Sequence, residues 1–119
     1  MTESLLPPPS RELSALRHTL APEADRAFQA FSKQVFTDGA LDTKTKQIIA
    51  VAVAHATQCP YCIQAHTKSA LRAGARPEEL MEAIWVAAEM RAGGAFAHAN
   101  VALATIAASQ PSAVEPERK

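Results

Sequence analysis

Residues 41–75 read LDTKTKQIIAVAVAHATQCPYCIQAHTKSALRAGA, and two helices joined by a dithiol turn account for the whole stretch. Asp42 can cap a helix whose start is polar, Thr43 to Gln47, and whose body, Ile48 to Ala54, is apolar all round. A helix apolar on every side is expected to be buried. Gln58, Cys59 and Pro60 then form a sharp turn. Pro60 suits the first turn of a following helix, since its missing N–H would have no partner there, and Gly74 suits the position just past the end. Both cysteines are thereby placed at a helix N-terminus.

Working outward from this stretch, every periodic segment is helical. Ser10 can cap a first helix that carries Leu13, Leu16 and Leu20 on one side. Pro22 opens a second, with Ala24, Ala27, Phe28, Phe31 and Val35 at helical spacing, and Asp38-Gly39 ends it. Pro77-Glu78-Glu79 opens a fifth helix, with two acids where the macrodipole favours negative charge, continuing through Leu80, Ile84, Ala87 and Ala88. Gly93-Gly94 is expected to interrupt it, leaving a last alanine-rich helix from about Ala95 to Ala108. No strand-like alternation occurs. The expectation is an all-α fold, a compact bundle of about six short helices spanning residues 10–109. Residues 1–9, which include Pro7-Pro8-Pro9, form a flexible arm, and residues 110–119 form a polar, disordered tail.

Bulk properties narrow the function. The 119 residues suit one domain, and a 48% hydrophobic content is that of a packed core. Twelve basic and twelve acidic residues cancel without a basic run, which argues against a nucleic-acid or anionic-membrane partner. With no apolar run of membrane-spanning length and no secretory leader, the expected compartment is the cytoplasm. Aromatics make up only 5% of a chain rich in alanine, so one protomer has little bulky material for its core, a hint of oligomerisation.

In a reducing compartment, a single CxxC pair points to catalysis or metal binding rather than to a structural staple. A thiol is nucleophilic only as thiolate, and the partial positive charge at a helix N-terminus lowers its pKa from the free value of roughly 8.5. Cys62 and His66 stand at i and i+4, on one helix face, so the imidazole can take the proton that Cys62 must lose. Once Cys62 is oxidised, Cys59 can close an intramolecular disulfide. Zinc would need four ligands, and the chain has no second cysteine pair. Ile63 after Cys62 excludes the CxxCH pattern of haem attachment. Neither a metal nor a cofactor is therefore expected. A pair of inert, packed thiols is the structural alternative.

Residues 41–75 resemble the carboxymuconolactone decarboxylase and alkyl hydroperoxidase D-like family, whose redox-active members carry a glutamate twelve residues before a CxxC and a histidine four residues after it. Cys59, Cys62 and His66 match in type and spacing. The resemblance implies an alkyl hydroperoxidase D-like helical fold, with Cys62 as attacking thiol, Cys59 as resolving thiol and His66 in a proton relay. It further implies thiol-dependent reduction of peroxides or exchange of disulfides in antioxidant defence. A dithiol reductant, lipoyl or thioredoxin-like, and a homotrimer or homohexamer belong to the same expectation. The relay glutamate is replaced by Gln47, which can hydrogen-bond His66 or a water but cannot accept a proton at neutral pH. Tyr61 occupies a position where some peroxidase members have a further histidine.

Four more side chains are pocket candidates. Tyr61, His55, His98 and Trp85 could each border the thiols, although packing is the better reading of His55 and core or interface the usual one of Trp85. Glu82 or Glu89 could supply the carboxylate that Gln47 lacks, against a simpler reading as solvated helix face, and His18 is read as surface. Two other functions compete: a lactone decarboxylase, for which no thiol pair is needed, and a non-catalytic helical oligomeric module.

Overall fold

The computed structural model describes residues 5–110 and contains five helices in the order α1 (Arg11–Leu20), α2 (Pro22–Val35), α3 (Thr43–Thr57), α4 (Pro60–Arg72) and α5 (Pro77–Ser109). No strand occurs among the described residues. Polar caps define the starts of α1 and α3, and proline opens α2, α4 and α5. The Ser10 side chain accepts from the Leu13 N–H at 3.1 Å, and Asp42 accepts from the Thr45 N–H at 2.8 Å, each satisfying a backbone donor the helix leaves free. Hydrogen bonds from Thr45 hold the Asp42 carboxyl below the usual carboxylate range. Its stabilising contribution is therefore fully present above the ordinary carboxyl pKa and is lost as pH falls through the lowered one. Gly74 follows α4 at φ 99°, a conformation that favours glycine.

α3 is the central element, packing on α4 and on α5, while α1 and α2 pack on each other. The core is small. Val51, Ala70, Ala75 and Leu80 form its buried centre, with Ile48 and Ile84 packed around it.

Three expectations need correction. Gly93-Gly94 does not break the last segment: α5 runs unbroken for 33 residues, so the helices number five rather than about six. Two glycines cost a helix roughly 2 kcal/mol relative to alanine, and long flanks of alanine and other good helix formers offset that. The bundle is not compact either, with a Cα radius of gyration of 21.5 Å against about 13–14 Å expected for a globular chain of this length. The cause is visible in the burial pattern, since α1 and α2 contain no buried residue and α5 none beyond Ala87. Finally, α3 is covered on one side only: Val51 and Ala54 are buried, whereas Ile49 and Val53 are 45% and 53% exposed. Within one protomer, α4 and α5 do not suffice to surround it.

Residues 5–9 are non-helical, as prolines at 7, 8 and 9 require. Most of the expected tail, 111–119, and residues 1–4 of the expected arm lie outside the described residues.

Candidate functional site

Only two residues separate α3 from α4. Gln58 turns the chain by adopting a left-handed conformation, φ 56° and ψ 49°, which is uncommon for a residue with a Cβ. Cys59 follows in extended conformation as the N-cap of α4, and its sulfur accepts from the Cys62 N–H at 3.3 Å. A thiol thus occupies the place where serine or aspartate usually caps a helix. The Cys59 and Cys62 sulfurs lie 2.8 Å apart, both as free thiols and both half-buried.

That arrangement makes the pair unequal. Hydrogen bonds from the Cys62 thiol and then from the Cys62 and Tyr61 backbone push the Cys59 thiol below its ordinary value. Cys62 moves the opposite way, because its thiol is tied up by Cys59, is partly desolvated and faces the negative charge of its neighbour. The sequence expectation puts the readily ionised sulfur at Cys62, but the hydrogen bond between the two thiols, together with the helix cap, makes Cys59 the first to ionise. Two groups so close titrate as a pair, the first proton leaving largely from Cys59. Iodoacetamide labelling followed by peptide mass spectrometry at stepped pH should therefore modify Cys59 at lower pH than Cys62. Equal labelling of the two at every pH would contradict this ordering.

His66 and Cys62 line one small cavity of about 160 Å³ together with Ala50, Val53, Ala54 and Thr57. No direct hydrogen bond joins the two, but i and i+4 spacing turns both side chains toward the same space. The His66 ring is held from two sides. Its Nδ1 lies 2.8 Å from Gln47 Oε1, and its face stacks on Phe36 with centroids 5.2 Å apart and planes 26° from parallel. An amide oxygen can only accept, so Nδ1 carries the proton and Nε2 is left as the basic nitrogen. Gln47, the buried polar side chain of the core, comes from the start of α3.

The other candidates divide. Tyr61 faces away from this cavity and donates from its hydroxyl to the Pro7 carbonyl at 2.9 Å. His55 donates to the Val51 carbonyl at 2.8 Å and borders an open hollow with Gln58, Pro60, Ile63 and Gln64, beside the dithiol turn. Neither His98 nor Trp85 lines the thiol cavity. His98 donates to the Gly94 carbonyl on an exposed part of α5, and Trp85 is 66% exposed. Glu82 and Glu89 are likewise exposed, and neither contacts His66. Phe36 escaped the sequence reading, because nothing local tells that the residue leaving α2 lies against a histidine thirty positions on. Among the described residues, no cluster of three or more His, Cys, Asp or Glu side chains could hold a metal ion, and no helix is long and apolar enough to cross a membrane.

Comparison with known proteins agrees with the all-helical fold. The profile of the "Carboxymuconolactone decarboxylase family" matches residues 22–105. "Uncharacterized protein 4 in cox locus" of Paracoccus denitrificans is 70% identical over 82 residues, which cover 69% of this chain and 74% of the relative. A carboxymuconolactone decarboxylase family protein from Legionella pneumophila, solved in the apo form, superposes with a TM-score of 0.61 at 39% identity, covering 64% of this chain and 68% of that one. A protein from Methanobacterium thermoautotrophicum superposes with a TM-score of 0.66 at 37% identity, over 70% of this chain and 93% of its own. With the family profile covering most of the chain and the helices superposing on solved relatives, this protein belongs to the carboxymuconolactone decarboxylase family.

Proposed function

We propose that the protein is a dithiol oxidoreductase of alkyl hydroperoxidase D type, which reduces a small peroxide or exchanges a disulfide while Cys59 and Cys62 pass from dithiol to disulfide. The observation that carries this reading is the pair of sulfurs 2.8 Å apart at the opening of α4, with Cys62 sharing a cavity with an oriented histidine. Cys59 is the more readily ionised thiol, whereas Cys62 is the one that lines the cavity with His66. Cys62 attacks the peroxide O–O bond, and His66 Nε2 takes its proton and returns it to the departing alcohol or water. Because its hydrogen bond with Cys59, partial burial and the neighbouring charge raise the Cys62 pKa, a base is needed at that sulfur. Cys59, already disposed to ionise, then attacks the Cys62 sulfenic acid, forming the disulfide and releasing hydroxide that is protonated to water. Two electrons leave the dithiol and reduce one peroxide.

A cavity of about 160 Å³ has room for roughly five waters, which favours hydrogen peroxide or the reactive end of an alkyl hydroperoxide. A dithiol reductant, lipoyl or thioredoxin-like, closes the cycle in the cytoplasm. A homotrimer or homohexamer would cover the apolar faces of α2, α3 and distal α5 that one protomer leaves open. Decarboxylation of a carboxylated lactone has less support, since among the residues lining the thiol cavity only His66 can carry positive charge.

Treating reduced protein with one equivalent of hydrogen peroxide should yield a mass loss of two hydrogens, mapped to a Cys59–Cys62 disulfide. Sulfinic acid at either cysteine with no disulfide would refute the reading. Gln47→Glu tests the relay. A carboxylate accepting from His66 Nδ1 makes Nε2 more basic, and peroxide turnover at neutral pH should rise roughly tenfold. Unchanged turnover would remove Gln47 and His66 from the proton path.

A further inference from the structure

A second hollow, of about 680 Å³, lies between α1 and α4 on the side of the dithiol turn that Tyr61 faces. Leu13, Leu16 and Leu20 form one wall, Tyr61 and Ala65 the other, and the three prolines before Ser10 close an end. The leucines, spaced three and four residues apart, make a single stripe that is 46%, 52% and 75% exposed. The bond from the Tyr61 hydroxyl to the Pro7 carbonyl ties the Tyr61 wall to the proline end across 54 residues of chain. The volume is in the range of about 300–1,000 Å³ usual for small-molecule sites.

Arg17 is the single charged residue lining this hollow. Among the described residues its guanidinium makes neither an ion pair nor a hydrogen bond, whereas the neighbouring His18 is matched to Asp25 at 2.9 Å. An unpaired cation beside an apolar groove is complementary to an amphiphile with an anionic head. A purely apolar occupant, such as the leucine stripe of a second copy, would desolvate the guanidinium without compensation. From Leu13 to Leu20 the stripe rises through seven helical steps, about 10.5 Å, the length of roughly eight methylenes.

We propose that this groove binds a linear, medium-chain aliphatic carboxylate, its tail along Leu13, Leu16 and Leu20 and its head on Arg17. Guanidinium and carboxylate match in bidentate geometry, and the arginine stem extends the apolar wall. Neither cysteine lines the groove, so the proposal stands apart from the dithiol reading.

Isothermal titration of the full-length protein with submicellar decanoate, and with decanol as the uncharged control, tests it. Saturable binding of one decanoate per chain is expected, with decanol weaker. Arg17→Gln should weaken decanoate at least about tenfold while leaving decanol unchanged, the effect of removing a charge-assisted hydrogen-bonded pair. Leu16→Glu should abolish binding with helical content retained by circular dichroism, and Cys62→Ser should bind decanoate normally even if its redox activity is gone. Three results would overturn the proposal: no decanoate binding at millimolar concentration, equal binding of both ligands unaffected by Arg17→Gln, or a change of oligomeric mass in Leu16→Glu that assigns the groove to a second copy.

Discussion

Replacing Cys62 by serine is expected to lower peroxide turnover by roughly 10³-fold or more, as removal of a reacting nucleophile does. Serine keeps the size of the side chain and leaves the Cys59 cap in place, so the loss reports chemistry rather than folding. The companion substitution separates the roles. In Cys59→Ser a hydroxyl takes over as N-cap, a position serine favours, and α4 should begin as before. Steady turnover should vanish, because no resolving thiol remains, yet a single burst consuming one peroxide per chain should persist. Dimedone should then trap a sulfenic acid on Cys62. If the burst instead survives in Cys62→Ser and the adduct forms on Cys59, the attacking and resolving assignments are reversed, and the more acidic thiol is also the nucleophile. Retention of full turnover in Cys62→Ser would end the dithiol mechanism altogether.

The second large effect is on stability. Leu80, 6% exposed, packs with Val51, Ala70 and Ala75, and two of those three partners are alanines. Leu80→Ala removes the bulkiest side chain from that buried centre and should cost about 2–4 kcal/mol, transfer energy plus the cavity left behind. Against a typical total of about 5–15 kcal/mol this is a severe loss for one methyl-bearing branch. Urea denaturation at fixed protein concentration, followed by the fluorescence of Trp85 on the same helix, measures it; the concentration must be held constant because assembly would shift the midpoint by mass action. A loss below about 1 kcal/mol would mean that the true core is formed elsewhere, between protomers.

The all-helical class, the helix starts at Ser10, Asp42, Pro22, Pro60 and Pro77, and the placement of both thiols at the head of α4 follow from the chain by itself. Each depends on bonds within three or four residues, where side-chain type and spacing decide the outcome. The common orientation of Cys62 and His66 belongs to the same class, being a property of one helix face.

Tertiary structure decided the rest. Gln47 meets His66 across nineteen residues and Phe36 meets it across thirty, and only the packing of α4 on α3 and the return from α2 create those contacts. The order of the two thiol pKa values required the thiol–thiol hydrogen bond and the cap geometry at Cys59, since composition says only that both sulfurs sit near a helix dipole. Gly93-Gly94 is a local matter by contrast, where the cost of two glycines is outweighed by the long helical flanks on either side. Local rules reach as far as the next turn of helix; which faces meet, and which stay open, is settled by the free energy of burying one surface on another.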